Sequence, residues 1–202
     1  FNCVSYTMIM NSLFQLERRE LFYSGSNIYG FNQLAIQSGF IEKSIMLTDR
    51  HKFSIEEKFY NQFDTEIIDT ANLISLEIQK QPLTDVFNNI FEECYLTGKK
   101  GEWLGQFLTP NKLAEAISRF AGWEKSIKYN IGDGCAGTGS LLFPLLREIY
   151  SEEGYEGIQK IELFYNEIDS LMAQLFMAQI LTNMAYHNLD FKSLHVYIGN
   201  AI

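Results

Sequence analysis

The sequence predicts an α/β fold: a partial, Rossmann-like parallel sheet preceded by an N-terminal helical segment. In residues 129–202, short apolar runs typical of strands alternate with longer runs of helical periodicity. That order is what βαβ units produce. The pattern in residues 1–100 is helical instead. We therefore expect a mainly helical region over 1–100 and a ligand-binding α/β region over 101–202.

The composition indicates a folded, soluble chain. Its 202 residues are 47% hydrophobic, enough to bury a sizeable core. No run approaches the roughly 18 apolar residues that a membrane span needs, and residues 1–10 carry no basic leader. We expect a cytoplasmic protein with no membrane association. A net charge of -9 would repel a nucleic-acid backbone, so DNA binding would need another segment or subunit.

Cysteines and histidines give no metal or disulfide pattern. The three cysteines are widely and irregularly spaced, which fits neither a disulfide framework nor a metal knuckle. The histidines show no ligand spacing either. We therefore expect that none of these side chains binds a metal ion. They are Cys3, Cys94, Cys135, His51, His187 and His195.

Two amphipathic helices are predicted before residue 100. The first starts with a capping box at Ser54 and Glu57 and ends before Pro82. Thr84 or Asp85 can cap the second, and Gly98 can stop it. The apolar faces expected to be buried are Ile55, Phe59, Phe63 and Ile67 in the first helix, and Val86, Phe87, Ile90, Phe91 and Cys94 in the second.

The α/β region is predicted to contain parallel strands joined by right-handed crossovers. Pro144 requires its helix to start at Ser140 or later, or to kink. The helix from Ser170 has an apolar face at Leu171, Leu175, Ala178, Leu181 and Met184/Ala185. The predicted strands are 128–132, 160–165 and 194–198, and the predicted helices are 140–150 and 170–187.

A glycine-rich turn over residues 133–140 follows the first strand and predicts a ligand pocket at the strand ends. Gly132, Gly134 and Gly137 match a dinucleotide fingerprint, whose ribose-binding acid should lie about 20 residues further on. Glu167 instead comes 34 residues after Asp133. An acid inside the turn also disfavours a pyrophosphate. Both features favour a cationic ligand with one ribose, and a purely structural turn remains the alternative.

A second local pattern lies upstream of the glycine turn. Thr109 can cap a helix in which Pro110 takes the first position. The helix would stop at Gly122. Its expected buried face is Leu113, Ala114, Ile117 and Phe120.

Four segments together resemble the adenine-specific DNA methyltransferases of the gamma arrangement, similar to modification subunits of type I restriction systems. Residues 105–110 (GQFLTP) resemble the family's G-Q-F-x-T-P, and residues 133–139 (DGCAGTG) its D-P-A-C-G-T-G. Residues 166–169 (NEID) are similar to the acidic end of the second strand, and residues 199–201 (GNA) to the end of the third. The resemblance implies a Rossmann-like, S-adenosylmethionine-dependent methyltransferase core.

The resemblance also implies roles for individual residues. Thr109 and Pro110 would approach the methionine part of S-adenosylmethionine, and Asp133 would face its ammonium group. Glu167 would accept both ribose hydroxyls. Ile168 would lie against the adenine ring, and Asn200 would meet the adenine amine. The whole implied cofactor site is Gln106, Phe107, Thr109, Pro110, Asp133, Gly134, Ala136, Gly137, Thr138, Gly139, Glu167, Ile168 and Asn200.

Four positions depart from the family pattern. Gly134 replaces its proline, Cys135-Ala136 inverts its Ala-Cys, and Asn200 stands where the family usually has Asp. The family's catalytic N/D/S-P-P-Y/F turn needs adjacent prolines, whereas the prolines here are isolated. We therefore expect no catalytic residue in this chain and a longer parent product. The prolines are Pro82, Pro110 and Pro144.

The resemblance implies methylation of adenine in DNA by the parent protein, with DNA as substrate and a specificity or restriction subunit as partner. This chain would supply the cofactor-binding half and be inactive alone. Two alternatives remain open at this stage. One is a truncated paralogue that binds the cofactor or a partner without catalysis, and the other is a methyltransferase acting on RNA or protein.

Overall fold

A computed structural model describes residues 4–5, 7–9, 12, 65–95, 109–121 and 128–201. Its centre is a three-stranded parallel sheet in the order β1-β2-β3. The predicted α/β class is confirmed, and the predicted strand bounds lie within two residues of the observed ones. The strands are β1 (Tyr129–Asp133), β2 (Ile161–Glu167) and β3 (Ser193–Ile198).

The helices within the described ranges precede the sheet or connect its strands. Residues 4–5, 7–9 and 12 are also helical, and Ser12 shares a buried hydrogen bond with Thr182. The helices with defined bounds are α1 (Thr65–Lys80), α2 (Val86–Tyr95), α3 (Asn111–Phe120), α4 (Leu142–Gln159) and α5 (Ser170–His187).

The sheet register brings the carboxyl ends of the strands to one edge. Asp133, the last residue of β1, pairs with Tyr165, and Glu167, the last residue of β2, pairs with Ile198. Strand β2 therefore extends two residues beyond β1. The carboxyl ends of parallel strands lie at the same edge of a sheet. The three segments that follow these strands are therefore neighbours in space.

Helices cover one face of the sheet. Alternate residues of each strand, such as Ile131, Leu163 and Val196, are buried, as expected when right-handed crossovers place α4 and α5 on the same side. The opposite face is more open, and there Phe164 is 37% exposed and stacks on His195 with ring centroids 4.4 Å apart. No helix among the described residues is long and apolar enough to cross a membrane.

Helix α5 matches its predicted bounds. Asp169 caps it by accepting hydrogen bonds from the amides of Leu171 and Met172, and Asn188 ends it in the left-handed conformation. The predicted apolar positions are buried or half-buried. Most of the remaining helix surface is buried too, because α5 lies between the sheet and α1.

Helix α4 is longer than predicted. It begins at Leu142, so Pro144 lies in the first turn, where a missing amide costs no internal hydrogen bond. This satisfies the condition that the sequence placed on Pro144. The predicted end at residue 150 is wrong: Gly154, with φ 63°, interrupts the helix, and a further helical turn then continues to Gln159.

The two helices predicted before residue 100 are confirmed where the structure describes them. Helix α1 ends at Lys80, before Pro82, and Ile67 is half-buried on it. The predicted start at Ser54 and the apolar positions before residue 65 lie outside the described residues, as do Gly98 and the side chain of Cys94. Asp85 caps α2, accepting a hydrogen bond from the Asn88 amide at 3.0 Å. The domain boundary near residue 100 stays a prediction.

Helix α3 departs from its prediction. Pro110 is the N-cap residue, Thr109 precedes it, and no side chain caps the helix. Its packed face consists of Ala114 and Ser118, whose small side chains allow close approach to α4. The predicted buried face is therefore wrong at three of its four positions, since larger residues point away from this contact. These are Leu113, Ile117 and Phe120, which are 52%, 42% and 89% exposed.

Candidate ligand-binding site

The ends of all three strands are joined by the residue that precedes Glu167. The side-chain amide of Asn166 donates hydrogen bonds to the carbonyl oxygens of Gly134, at 2.8 Å, and Gly199, at 3.3 Å. Its backbone carbonyl accepts a bond from the Ala136 amide at 3.0 Å. The glycine turn after β1 and the segment after β3 are thus held on either side of the end of β2.

The carboxylate of Glu167 lies against the glycine turn. One oxygen accepts a hydrogen bond from the Gly137 amide at 2.8 Å. The other accepts bonds from the amides of Ile168 and Asp169, at 2.8 and 2.9 Å. The backbone carbonyl of Glu167 accepts a bond from the Gly199 amide. Glu167 is half-buried, so its position is fixed while part of it faces solvent.

Asp133 and Asn200 complete the set of strand-end residues. Asp133 is half-buried, and one carboxylate oxygen accepts a hydrogen bond from the Cys135 amide at 3.0 Å. Asn200 is exposed and lies between Gly199 and Ala201. A Cβ at Gly134 would be 3.9 Å from the Cβ of Ala201. The structure therefore brings these three predicted strand-end positions to one edge of the sheet.

Two glycines of the turn are required for different reasons. Gly137 has φ +56° and faces open space, which keeps the backbone accessible to a ligand. Gly139 has φ +95°, and a Cβ there would lie 2.7 Å from the Phe176 ring. Gly139 is thus needed for packing. Ala136 and Thr138 are also buried, so these three predicted site residues belong to the floor of the turn.

Tyr165 supports the turn from below. Its hydroxyl donates a hydrogen bond of 2.6 Å to the Gly137 carbonyl, and its ring stacks on Phe176. Burial raises the pKa of Tyr165 well above its usual range, and the nearby carboxylates of Glu167, Asp133 and Asp169 raise it further. The hydroxyl therefore stays protonated and remains a donor.

The carboxyl edge of the sheet carries acidic side chains and one exposed apolar side chain. Asp133, Glu167 and Asp169 lie close enough to act together on Tyr165. The segments 133–140, 166–169 and 199–201 contain no Lys, Arg or His. Ile168 is 59% exposed beside Glu167 and offers an apolar side chain to a flat ring. The edge therefore favours a ligand that carries positive charge, hydroxyl groups and an apolar ring.

The predicted upstream block is described in part. Gln106 and Phe107 lie outside the described residues. Thr109 is half-buried, and its carbonyl accepts a hydrogen bond from the Asn88 side chain at 3.1 Å. Pro110 is exposed at the start of α3.

Several positioning residues were missed in the sequence. Asn166 belongs to the second-strand motif, but the family resemblance implies no role for it. Asp85, Asn88 and Gln179 form a buried polar cluster behind the turn. A signal for Gln179 is present, because α5 is mostly apolar and a buried amide on it needs hydrogen-bonding partners.

Asp85 is a carboxyl group whose surroundings strongly alter its pKa. Burial raises its pKa from 3.8 to about 6, although hydrogen bonds from Asn88 and Gln179 and the charge of Arg147 oppose the shift. Among the described residues, no three His, Cys, Asp or Glu side chains are grouped as metal ligands.

Comparison with known proteins gives a family match. The family model for N-6 DNA methylase matches residues 79–202. A solved structure from Vibrio vulnificus YJ016, assigned as a modification subunit of a type I restriction enzyme, is similar with 20% identity and a TM-score of 0.47. It is matched over 67% of this chain and 27% of its own length.

A second solved structure is a type I restriction-modification methyltransferase subunit from Streptococcus thermophilus. It has 18% identity and a TM-score of 0.39, over 71% of this chain and 32% of its own. The chain thus spans about a third or less of either structure. No curated protein matches the sequence.

Proposed function

Because the chain belongs to the N-6 DNA methylase family, we propose that it supplies the S-adenosylmethionine-binding half of an adenine-specific DNA methyltransferase. The observation that carries this proposal is the hydrogen bond between Glu167 and the Gly137 amide. It fixes an acid, at the end of β2, beside the glycine turn that follows β1.

The residues present fit S-adenosylmethionine better than a dinucleotide. A pyrophosphate needs free amides at the glycine turn, but the Gly137 amide is already bonded to the Glu167 carboxylate. Asp133 adds a second negative charge within the same turn. Negative charge at this edge would repel phosphate and attract the ammonium and sulfonium groups of S-adenosylmethionine.

Each strand end has its own part in this proposal. Asp133 pairs with the ammonium group of the amino-acid portion. Glu167 accepts a hydrogen bond from a ribose hydroxyl, using the acceptor site that its three bonds to backbone amides leave available. Ile168 packs against the adenine ring, and Asn200 meets the adenine amine. Gly134 and Gly137 allow the ligand to approach the backbone closely.

The Thr109–Pro110 segment and the buried turn residues complete the site. Thr109 and Pro110 approach the methionine portion, and we assign Gln106 and Phe107 to the cofactor site by family resemblance alone. Ala136, Thr138 and Gly139 hold the turn in shape from the core side.

When bound, the cofactor supplies a methyl group on a positively charged sulfur. The residues of this chain hold it in one orientation, so that a target adenine amine presented by the rest of the enzyme meets the methyl group in line. Such positioning accounts for much of the rate gain in a direct displacement. The segment that accepts the flipped adenine is proposed to belong to the longer parent protein.

DNA and partner subunits are also proposed for the parent protein. A net charge of -9 makes this chain a poor surface for the DNA backbone. We therefore assign most of the DNA contact to other parts of the enzyme, including a specificity subunit, with a restriction subunit as a further partner.

Calorimetric titration of the purified chain tests the cofactor proposal. We expect S-adenosylmethionine to bind at a single site and NAD to give no heat of binding. Binding of NAD in place of S-adenosylmethionine would overturn the proposal. The polymer substrate is tested separately, by following labelled methyl groups from the complete enzyme. Label in N6-methyladenine of DNA supports the proposal, and label in RNA or protein contradicts it.

A further inference from the structure

The buried cluster behind the glycine turn contains a carboxyl group whose position is unusual for a helix cap. Asp85 is 3% exposed. One of its oxygens accepts hydrogen bonds from the Asn88 amide and from the Gln179 side chain, both at 3.0 Å. Capping alone is achieved by serine or threonine without the cost of burying a charge. The second contact, to Gln179, is therefore the informative one.

Gln179 connects Asp85 to the glycine turn. Its side-chain amide nitrogen also donates to the Thr138 carbonyl at 3.2 Å, and its oxygen accepts a bond from the Phe87 amide at 3.1 Å. Gln179 is fully buried on α5. The start of α2 and the floor of the glycine turn are thus held by the same side chain.

Asn88 connects the same helix start to the upstream segment. Its side-chain amide nitrogen donates to the Thr109 carbonyl at 3.1 Å and to the Asn111 side chain at 2.9 Å. Asn88 is fully buried as well. Asp85 therefore lies at the junction of two branches, one to Thr109 and one to Thr138.

Unsatisfied atoms are concentrated in this cluster. Among the described residues, the buried side-chain atoms that form no hydrogen bond of good geometry are Asp85 Oδ2, Asn88 Oδ1 and Thr138 Oγ1, although the Thr138 hydroxyl lies near enough to Asp85 to lower the pKa of its carboxyl group. When Asp85 is ionised, these three atoms comprise two acceptors, Asp85 Oδ2 and Asn88 Oδ1, and one hydroxyl donor, Thr138 Oγ1. Buried polar groups are rarely left unpaired, and a group of them suggests a role beyond stability.

We propose that Asp85 is a positioning residue for the cofactor site, which sets the distance between the Thr109–Pro110 segment and the glycine turn through Asn88 and Gln179. This inference rests on the proposed function. Asp85 is buried, and its hydrogen bonds run to the Asn88 amide and to the Gln179 side chain, so we do not assign it a contact with the ligand. Its effect is transmitted because a shift of its carboxyl group moves both branches at once.

Two substitutions separate positioning from helix capping. Asp85→Ser keeps a cap for the Asn88 amide but is shorter and lacks the second oxygen, so the contact with Gln179 is lost. Asp85→Asn keeps the accepting oxygen and adds a donor that can pair with Asn88 Oδ1 or Thr138 Oγ1. The matched control is Ser75→Ala, which removes a buried hydroxyl bonded to Ala71 on α1, away from the site.

The measurement is the dissociation constant for S-adenosylmethionine, by calorimetry at a temperature where circular dichroism shows each variant folded. We expect Asp85→Ser to weaken binding about tenfold, and Asp85→Asn and Ser75→Ala to bind like the original chain. Unchanged affinity in Asp85→Ser would overturn the positioning role. An equal loss in Asp85→Asn would also overturn it, since charge and not geometry would then matter.

The two proposals fail in different ways. If the unsubstituted chain binds no S-adenosylmethionine, the proposed function fails. If it binds the cofactor and Asp85→Ser does too, with the same affinity, the positioning role alone fails.

Discussion

The carboxylate of Glu167 and the backbone amide of Gly137 are joined by a 2.8 Å hydrogen bond, although 30 residues separate them in the chain. This bond links the end of β2 to the turn that follows β1. It occupies an amide that a phosphate-binding turn would need, and it holds an acid where a ribose can reach it. The proposed cofactor site depends on this arrangement.

Removal of the Glu167 carboxylate should weaken cofactor binding. Glu167→Ala removes the acceptor for a ribose hydroxyl and leaves the Gly137, Ile168 and Asp169 amides without their partner. We expect the affinity for S-adenosylmethionine to fall tenfold or more, which corresponds to a loss of at least ~1.4 kcal/mol of binding free energy. Calorimetric titration measures this change.

Glu162→Ala is the matched control for Glu167. Glu162 lies on the same strand but pairs with Lys128 and Lys192, and these contacts lower its pKa. Its substitution should leave cofactor affinity unchanged. Equal losses in both variants would show that the strand, and not the Glu167 carboxylate, is what matters.

Asp133 should distinguish ligands by their amino-acid portion. In the proposed site its carboxylate pairs with the ammonium group of S-adenosylmethionine, which 5′-methylthioadenosine lacks. Asp133→Ala is therefore expected to lower the affinity for S-adenosylmethionine about tenfold and to leave the affinity for 5′-methylthioadenosine unchanged. A parallel loss for both ligands would place Asp133 elsewhere in the pocket.

Gly139 should be required for stability. Gly139→Ala puts a side chain at φ +95° and within 3.0 Å of the Phe176 and Phe143 rings. We expect the free energy of unfolding to fall by about 3 kcal/mol, measured by urea denaturation. Gly199→Ala is the control, because a Cβ there meets nothing within 4 Å. Similar free energies of unfolding for the two variants would contradict the packing role of Gly139.

The raised pKa of Asp85, about 6, predicts a pH-dependent stability. Between about pH 4 and pH 6 the folded chain retains a proton that the unfolded chain releases, so the free energy of unfolding falls as pH rises through this window. The contribution is up to about 3 kcal/mol, at ~1.4 kcal/mol per pKa unit. Arg147 on α4 is the charged group that opposes the shift.

Asp85→Asn removes this titration and provides the test. The stability of Asp85→Asn relative to the original chain should increase between about pH 4 and pH 7.5, by up to about 3 kcal/mol. Urea denaturation at both pH values measures it. A stability difference that does not change with pH would contradict the raised pKa.

Strong local signals allowed much of the fold to be predicted. Helix α5 has a good cap at Asp169, a mostly apolar sequence and a left-handed end at Asn188, and its bounds agree with the prediction. The order of strands and helices likewise predicted a parallel sheet whose ends lie together. The strand-end residues Asp133, Glu167 and Asn200 follow from that order.

Tertiary contacts limited the rest of the prediction. The apolar residues of α3 suggested a buried face, but contact with α4 is made through the small residues Ala114 and Ser118. Periodicity alone cannot show which of two adjacent helix faces will be covered. The cluster of Asp85 and Gln179 joins residues 94 positions apart, and no local pattern reveals such a pairing.

Amide NMR during titration with S-adenosylmethionine shows whether the three strand ends surround one adenosine. We expect the amide resonances of Gly134, Gly137, Ile168 and Asn200 to shift together, with the same dissociation constant. Shifts confined to one strand end, or centred on a different surface of the chain, would contradict this expectation.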